Sequence, residues 1–150
     1  AGVCGFTDPD NRRTYPWGHE DQELVAFHKE IIRIHKSCEE LRTGSLIELK
    51  SGDDFLAYAR FNASMYSIVL MNCANQEMTQ KVPVWMAGVP CAMDCMEKAG
   101  NELKAEVKLT RLICTDETGY QTDPVEFAVV DGSITVTLPK FSAMLLRYTD

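Results

Sequence analysis

From Glu20 onward the apolar residues fall at helical spacing. Leu24, Phe27, Ile31, Ile34, Cys38 and Leu41 recur every three or four positions, one stripe of an α-helix. Val25 and Ile32 widen the stripe, which predicts a helix packed on two sides. Glu20, Asp21 and Glu23 crowd its start, and Lys36 and Arg42 lie towards its end, as the helix macrodipole favours. Gly44 is expected to cap its C-terminus. After Gly44 the period shortens to two. Strands are predicted at 45–50, at 55–61 with Phe55, Ala57, Ala59 and Phe61 on one face, and at 65–72, which is apolar enough to be central. Together they make a three-stranded antiparallel meander. A fourth strand is expected at 80–85.

Residues 86–102, with Gly88, Pro90 and Gly100, show no legible period. Residues 103–114 read as one long strand or a strand with a bulge, and 116–123 as a loop. A strand at 125–130 is joined by a tight Asp131-Gly132 turn to another at 133–138. Pro139 stops that strand because it cannot donate to a ladder. Residues 141–148 complete the set. Many short strands between turns predict a mainly β fold, an antiparallel β-sandwich at 44–150, preceded by a loop and helix at 1–43.

Residues 1–19 hold no hydrophobic period, only turn signals at Asp8-Pro9 and Tyr15-Pro16. Asp8 reads as a helix N-cap and Pro9 as a first-turn proline. Asp8 and Arg12 stand four apart, so one turn brings their side chains together. A carboxylate beside a guanidinium, flanked by Tyr15 and Trp17, suits a polyhydroxylated ligand. The carboxylate accepts from hydroxyls, the guanidinium donates in a fixed fork, and aromatic rings cover apolar sugar faces. From the residues alone, a capped surface turn with an exposed ion pair is the simpler account of the same stretch.

Three motifs carry a resemblance. The run D-P-D-N-R-R-T-Y-P-W-G from Asp8 is similar to the loop after the eighth barrel strand in glycoside hydrolase family 13, the α-amylase family, closest to its neopullulanase, cyclomaltodextrinase and amylopullulanase branch. The pattern L-x-x-F-H-K-x-I-I-x-I-H from Leu24 resembles that family's last barrel helix. The closing run D-G-S-I-T-V-T-L-P-K-F-S-A-M-L-L-R-Y resembles the last hairpin of the C-terminal β-domain that follows the barrel. Thr14, where many relatives carry proline, and Cys4 depart from the pattern and leave bond preference open.

The resemblance implies that residues 1–43 are the remnant of a (β/α)8 barrel cut inside a larger protein, and 44–150 its C-terminal β-domain. It implies retaining cleavage of α-1,4 or α-1,6 glucosidic bonds in the parent, with Asp8 and Arg12 contacting a glucose on the non-reducing side of the scissile bond. It places the catalytic carboxylates upstream of Ala1, so this chain alone is expected to be inactive. The implied partners are α-glucans (starch, pullulan, maltooligosaccharide or cyclodextrin), the chain's own catalytic barrel, and a second copy in a homodimer. Transglycosylation within the same family is the alternative activity.

Composition changes this picture little. The net charge of −7 and the lack of a basic stripe argue against nucleic acid and anionic membranes. The six cysteines (4, 38, 73, 91, 95, 114) are scattered and read as reduced, mostly packed thiols. Reduced thiols suit a bacterial cytoplasmic location, which is expected in preference to secretion; no spanning run or leader pattern is read. No cofactor or metal is expected: Cys91 and Cys95 lack zinc spacing, and His28 and His35, seven apart, read as packing or surface residues. The acid pairs Asp8/Asp10, Asp53/Asp54 and Asp116/Glu117 read as solvated turn acids. A carbohydrate-binding module is the reading from a different class, with Tyr66, Trp85 and Tyr120 as candidate stacking residues.

Overall fold

The computed structural model describes residues 2–89 and 107–148. The expectations that rest on Pro90, Cys91, Cys95, Gly100 and the first residues of the 103–114 strand lie outside them. The chain divides into two compact units, Ala1–Cys38 and Glu39–Asp150.

The first unit is a loop followed by helix α1 (Gln22–Ser37). Asp21 caps it by accepting the Leu24 N–H at 3.0 Å. Leu24, Phe27 and Ile31 are half-buried, and Ile34 and Cys38 are buried, as the stripe predicts. Ile32 is exposed, so the expected second packed side is not formed there. The helix does not run on to Leu41 either. Cys38 adopts extended backbone angles and ends it.

The second unit begins with the short helix α2 (Glu39–Thr43), so the boundary falls five residues before the predicted one. Gly44 donates its N–H to the Glu40 carbonyl at 3.0 Å, as a helix end requires, but not from a left-handed cap. Glycine is needed there for closeness. A Cβ would stand 2.6 Å from the Phe61 carbonyl oxygen.

Among the described residues nine strands follow: β1 (Ser45–Ser51), β2 (Phe55–Phe61), β3 (Tyr66–Asn72), β4 (Met78–Val82), β5 (Lys108–Asp116), β6 (Gly119–Gln121), β7 (Glu126–Ala128), β8 (Ile134–Leu138) and β9 (Ser142–Tyr148). The larger sheet has the order β1-β2-β3-β9-β5-β6, with β7 also paired to β5; the smaller is β4-β8. The predicted meander is present, with Ala59 opposite both Ile47 and Ile68, and β3 is central. Alternating side chains face inward from both sheets. Ala57, Ala59, Ile68, Leu70, Leu109 and Leu146 of the larger sheet share one core with Val82, Ile134, Val136 and Leu138 of the smaller. The bulge expected in β5 lies between Arg111 and Ile113.

Several pairings differ from expectation. β4 stops at Val82, because Pro83 follows it and a 3-10 turn (Val84–Ala87) replaces the rest of the predicted strand. The predicted 116–123 loop contains β6, folded back on β5. The Asp131-Gly132 turn is tight, with φ of 49° and 66°, but it closes only a single Val130–Ser133 bridge. β7 instead pairs with β5, and β8 with β4, so the turn carries the chain from one sheet to the other. The closing motif is likewise a crossover rather than a hairpin, since β9 runs between β3 and β5.

Asn72 fixes that crossover. Its buried side-chain amide donates to the Pro139 carbonyl at 2.7 Å and the Gln76 carbonyl at 2.9 Å, and its oxygen accepts the Ala74 N–H. The Phe141 N–H then reaches the Ala74 carbonyl, and the Ser142 hydroxyl donates to the Pro139 carbonyl. Each group would otherwise be a poorly satisfied buried polar atom.

Glu40 of α2 is fully buried. Arg147 of β9 donates to both its oxygens, at 2.8 and 3.2 Å, and the Ser67 hydroxyl of β3 donates at 2.6 Å. Burial alone raises the pKa of a carboxyl; here the Ser67 and Arg147 hydrogen bonds outweigh it, and Glu40 titrates below its ordinary range. Its stabilisation is therefore present above the unfolded carboxylate pKa of about 4.3 and is lost as pH falls through the lower folded value. Glu40→Ala strands Arg147 and is expected to lower stability by about 3 kcal/mol in urea unfolding at pH 7. Thermal melts of native protein and Glu40→Gln should converge as pH falls below about 4.

Candidate functional site

The candidate site is a turn in the first unit. The Asn11 N–H donates to the Thr7 carbonyl at 3.1 Å and the Arg12 N–H to the Pro9 carbonyl at 3.0 Å. A turn and no helix follows Asp8, so it is not the N-cap its sequence suggests. Its carboxylate goes to Arg12 instead. Nε meets Oδ1 at 2.7 Å and Nη2 meets Oδ2 at 2.9 Å, a two-pronged pairing. The predicted meeting of Asp8 and Arg12 is thus formed, through a turn rather than a helix.

Sequence reasoning missed two supports of this turn. Arg13 holds Asp10 through Nη2 and Nε, at 2.5 and 3.2 Å, and the i,i+3 spacing was the available signal. Gly5 lies against the backbone of the turn: a Cβ there would be 2.7 Å from the Asn11 Cα. Tyr15 and Trp17 follow with ring centroids 4.6 Å apart at 54°, and Trp17 is 80% exposed.

The Arg12 and Asp8 side chains are 75% and 57% exposed. Three guanidinium N–H groups and the outer carboxylate lone pairs therefore remain for ligand hydroxyls. The arrangement can grip and orient a polar ligand. It has neither the burial nor a second facing carboxyl that acid–base chemistry requires.

The remaining candidates divide clearly. The His28 Nδ1–H donates to the Leu24 carbonyl at 2.8 Å, and His35 is exposed, as expected of surface residues. Asp53 and Asp54 are exposed; Asp116 is bonded by the Thr118 hydroxyl and N–H, which hold its carboxyl below the usual range, and Glu117 pairs with Lys140. Tyr66 is half-buried against the core and meets Tyr148 edge-on at 5.9 Å, whereas Trp85 is 60% exposed and Tyr120 is at the surface. Cys4, Cys38, Cys73 and Cys114 are free thiols; Cys38 and Cys114 are buried, but Cys4 and Cys73 are exposed where mostly packed thiols were expected, and burial pushes the Cys114 thiol up. Among the described residues no three His, Cys, Asp or Glu side chains gather as a metal site, and no helix is long and apolar enough to cross a membrane.

No protein-family model matches the chain. It is 45% identical over 60 residues to an amylopullulanase of Thermoanaerobacter thermohydrosulfuricus, covering 40% of this chain and 4% of that one. It is 33% identical over 81 residues to a cyclomaltodextrinase of Thermoanaerobacter pseudethanolicus (52% and 14%). It is 28% identical over 116 residues to neopullulanase 2 of Thermoactinomyces vulgaris (73% and 20%). The chain therefore spans only a small part of these relatives. In fold it is similar to an Anoxybacillus α-amylase, with a TM-score of 0.69 and 17% identity over 97% of this chain and 26% of that one. An α-amylase of Geobacillus thermoleovorans, solved with acarbose, gives 0.67 and 15% over 97% and 27%. Mostly antiparallel sheet matches the C-terminal β-domain of such enzymes.

An exposed ion pair adds little to stability. Arg12→Ala is accordingly expected to change the urea unfolding free energy by less than about 1 kcal/mol. A larger loss would assign the pair a folding role.

Proposed function

We propose, from the premise that this chain is an α-amylase-family domain of amylopullulanase and cyclomaltodextrinase type, that it is the C-terminal part of an α-glucan-hydrolysing glycosidase. The parent would cleave α-1,4 or α-1,6 glucosidic bonds with retention, and residues 39–150 would support its barrel. Asp8 and Arg12 hold a glucose on the non-reducing side of the scissile bond. The observation that carries this reading is the Asp8–Arg12 fork, exposed in the run that resembles the family's eighth barrel loop.

The mechanism of this site is binding. The Asp8 carboxylate accepts from sugar hydroxyls, Arg12 donates to them, and each fixes the other's orientation. Holding a distant sugar supplies binding energy that positions the reacting bond. The carboxylates that break the bond would come from the rest of the parent.

Two measurements test this. In the parent enzyme, Asp8→Ala or Arg12→Ala should cost about 1.5–3 kcal/mol, roughly ten- to a hundredfold in kcat/KM, with the pH profile unmoved. A shifted pH optimum at unaltered substrate affinity would refute the assignment. The 150-residue chain alone should release no sugar from pullulan, cyclodextrin or starch above a blank; release would show that it holds its own catalytic groups.

A further inference from the structure

We infer that Asp10 and Arg13 are a positioning pair for the Asp8–Arg12 fork, holding Arg12 in the orientation in which it meets a sugar. The inference rests on the sugar-holding role proposed above. Residues 8–13 carry two Asp–Arg pairs, and the two are built differently. Arg12 spreads over both oxygens of one carboxylate, with Nε on Asp8 Oδ1 at 2.7 Å and Nη2 on Oδ2 at 2.9 Å. Arg13 clasps the main chain as well. Its Nε donates to the Asp10 carbonyl at 3.2 Å and to Asp10 Oδ1 at 3.2 Å, and Nη2 donates to the same Oδ1 at 2.5 Å.

Arg12 stands between the two ends of that clasp. The Asn11 N–H is held by the Thr7 carbonyl at 3.1 Å, and the Arg12 N–H by the Pro9 carbonyl at 3.0 Å. Those bonds fix the chain as far as Arg12. The Arg13 side chain, folded back on Asp10, closes it on the far side. Gly5 backs the peptide that receives the clasp: a Cβ there would stand 2.9 Å from the Asp10 carbonyl oxygen and 2.7 Å from the Asn11 Cα. The chain on both sides of Arg12 is therefore held before a ligand arrives. An unheld arginine must give up its rotamer freedom on binding, which costs about two- to tenfold in affinity. The Arg13 and Asp10 side chains are 54% and 53% exposed, so their pairing adds little to folding stability. Its effect falls on binding.

Kinetics of the parent enzyme on maltoheptaose test the inference. Arg13→Ala and Asp10→Ala should each raise KM about two- to tenfold, with kcat and the pH profile unmoved. Arg13→Lys, which can still reach one Asp10 oxygen, should restore part of the loss. Gly5→Ala pushes the same peptide without altering charge and should raise KM likewise; a rise in Arg13→Ala alone would trace the effect to charge and overturn the positioning role. In an Arg12→Ala background, Arg13→Ala should add nothing. An equal further loss there would mean that Arg13 meets the sugar itself, against the inference. Native KM in Arg13→Ala would also overturn it, while leaving the Asp8–Arg12 site standing. Silence of Asp8→Ala and Arg12→Ala would refute that site and the positioning role together. A second readout needs no activity. In NMR spectra of the 150-residue chain, the Arg12 Nε–H bound by Asp8 should be protected from exchange with water. Arg13→Ala should lose that protection and Arg13→Lys keep part of it; unaltered protection in Arg13→Ala would contradict the inference.

Discussion

The β unit depends on one buried ion pair. Glu40 is fully buried, and a lone carboxylate there would cost several kcal/mol of lost hydration. It is tolerated because Arg147 and Ser67 together make three hydrogen bonds to it. Arg147 comes from β9, the strand between β3 and β5, and Ser67 from β3 beside it. The pair therefore ties α2 to the middle of the larger sheet across 107 residues of sequence. This explains why the chain divides at Cys38 and not at Gly44.

The two units differ in how they are built. Residues 2–38 hold the exposed Asp8–Arg12 fork and the Tyr15–Trp17 pair on a loop closed by its own turn bonds. Residues from Glu39 onward form two sheets around one apolar core, with Asn72 locking the crossover between them.

Much of this was legible in the sequence, and the exceptions share a cause. Hydrophobic period located α1, the β1–β3 meander and the central position of β3, because burial on one face writes itself into local spacing. The Asp8–Arg12 contact was legible for the same reason, as both residues lie within one turn. Glu40 was not, since its partners lie 27 and 107 residues away and a glutamate in a helical pattern reads as solvent-facing. Asp131-Gly132 was recognised as a tight turn, but turn chemistry fixes two residues and not the strands they join. β7 and β8 went to different sheets because their long-range partners, β5 and β4, decided the pairing. Asn72 was hidden likewise, as a polar residue in an otherwise apolar strand.

The central claim is that the β unit begins at Glu39, with the buried Glu40–Arg147 pair as part of it. Urea unfolding of two shortened chains, 39–150 and 44–150, tests it directly. The chain from Glu39 should unfold in one cooperative transition, and the chain from Gly44, lacking Glu40, should be less stable by about 3 kcal/mol. Equal stability of the two, or failure of the longer one to fold, would contradict the account.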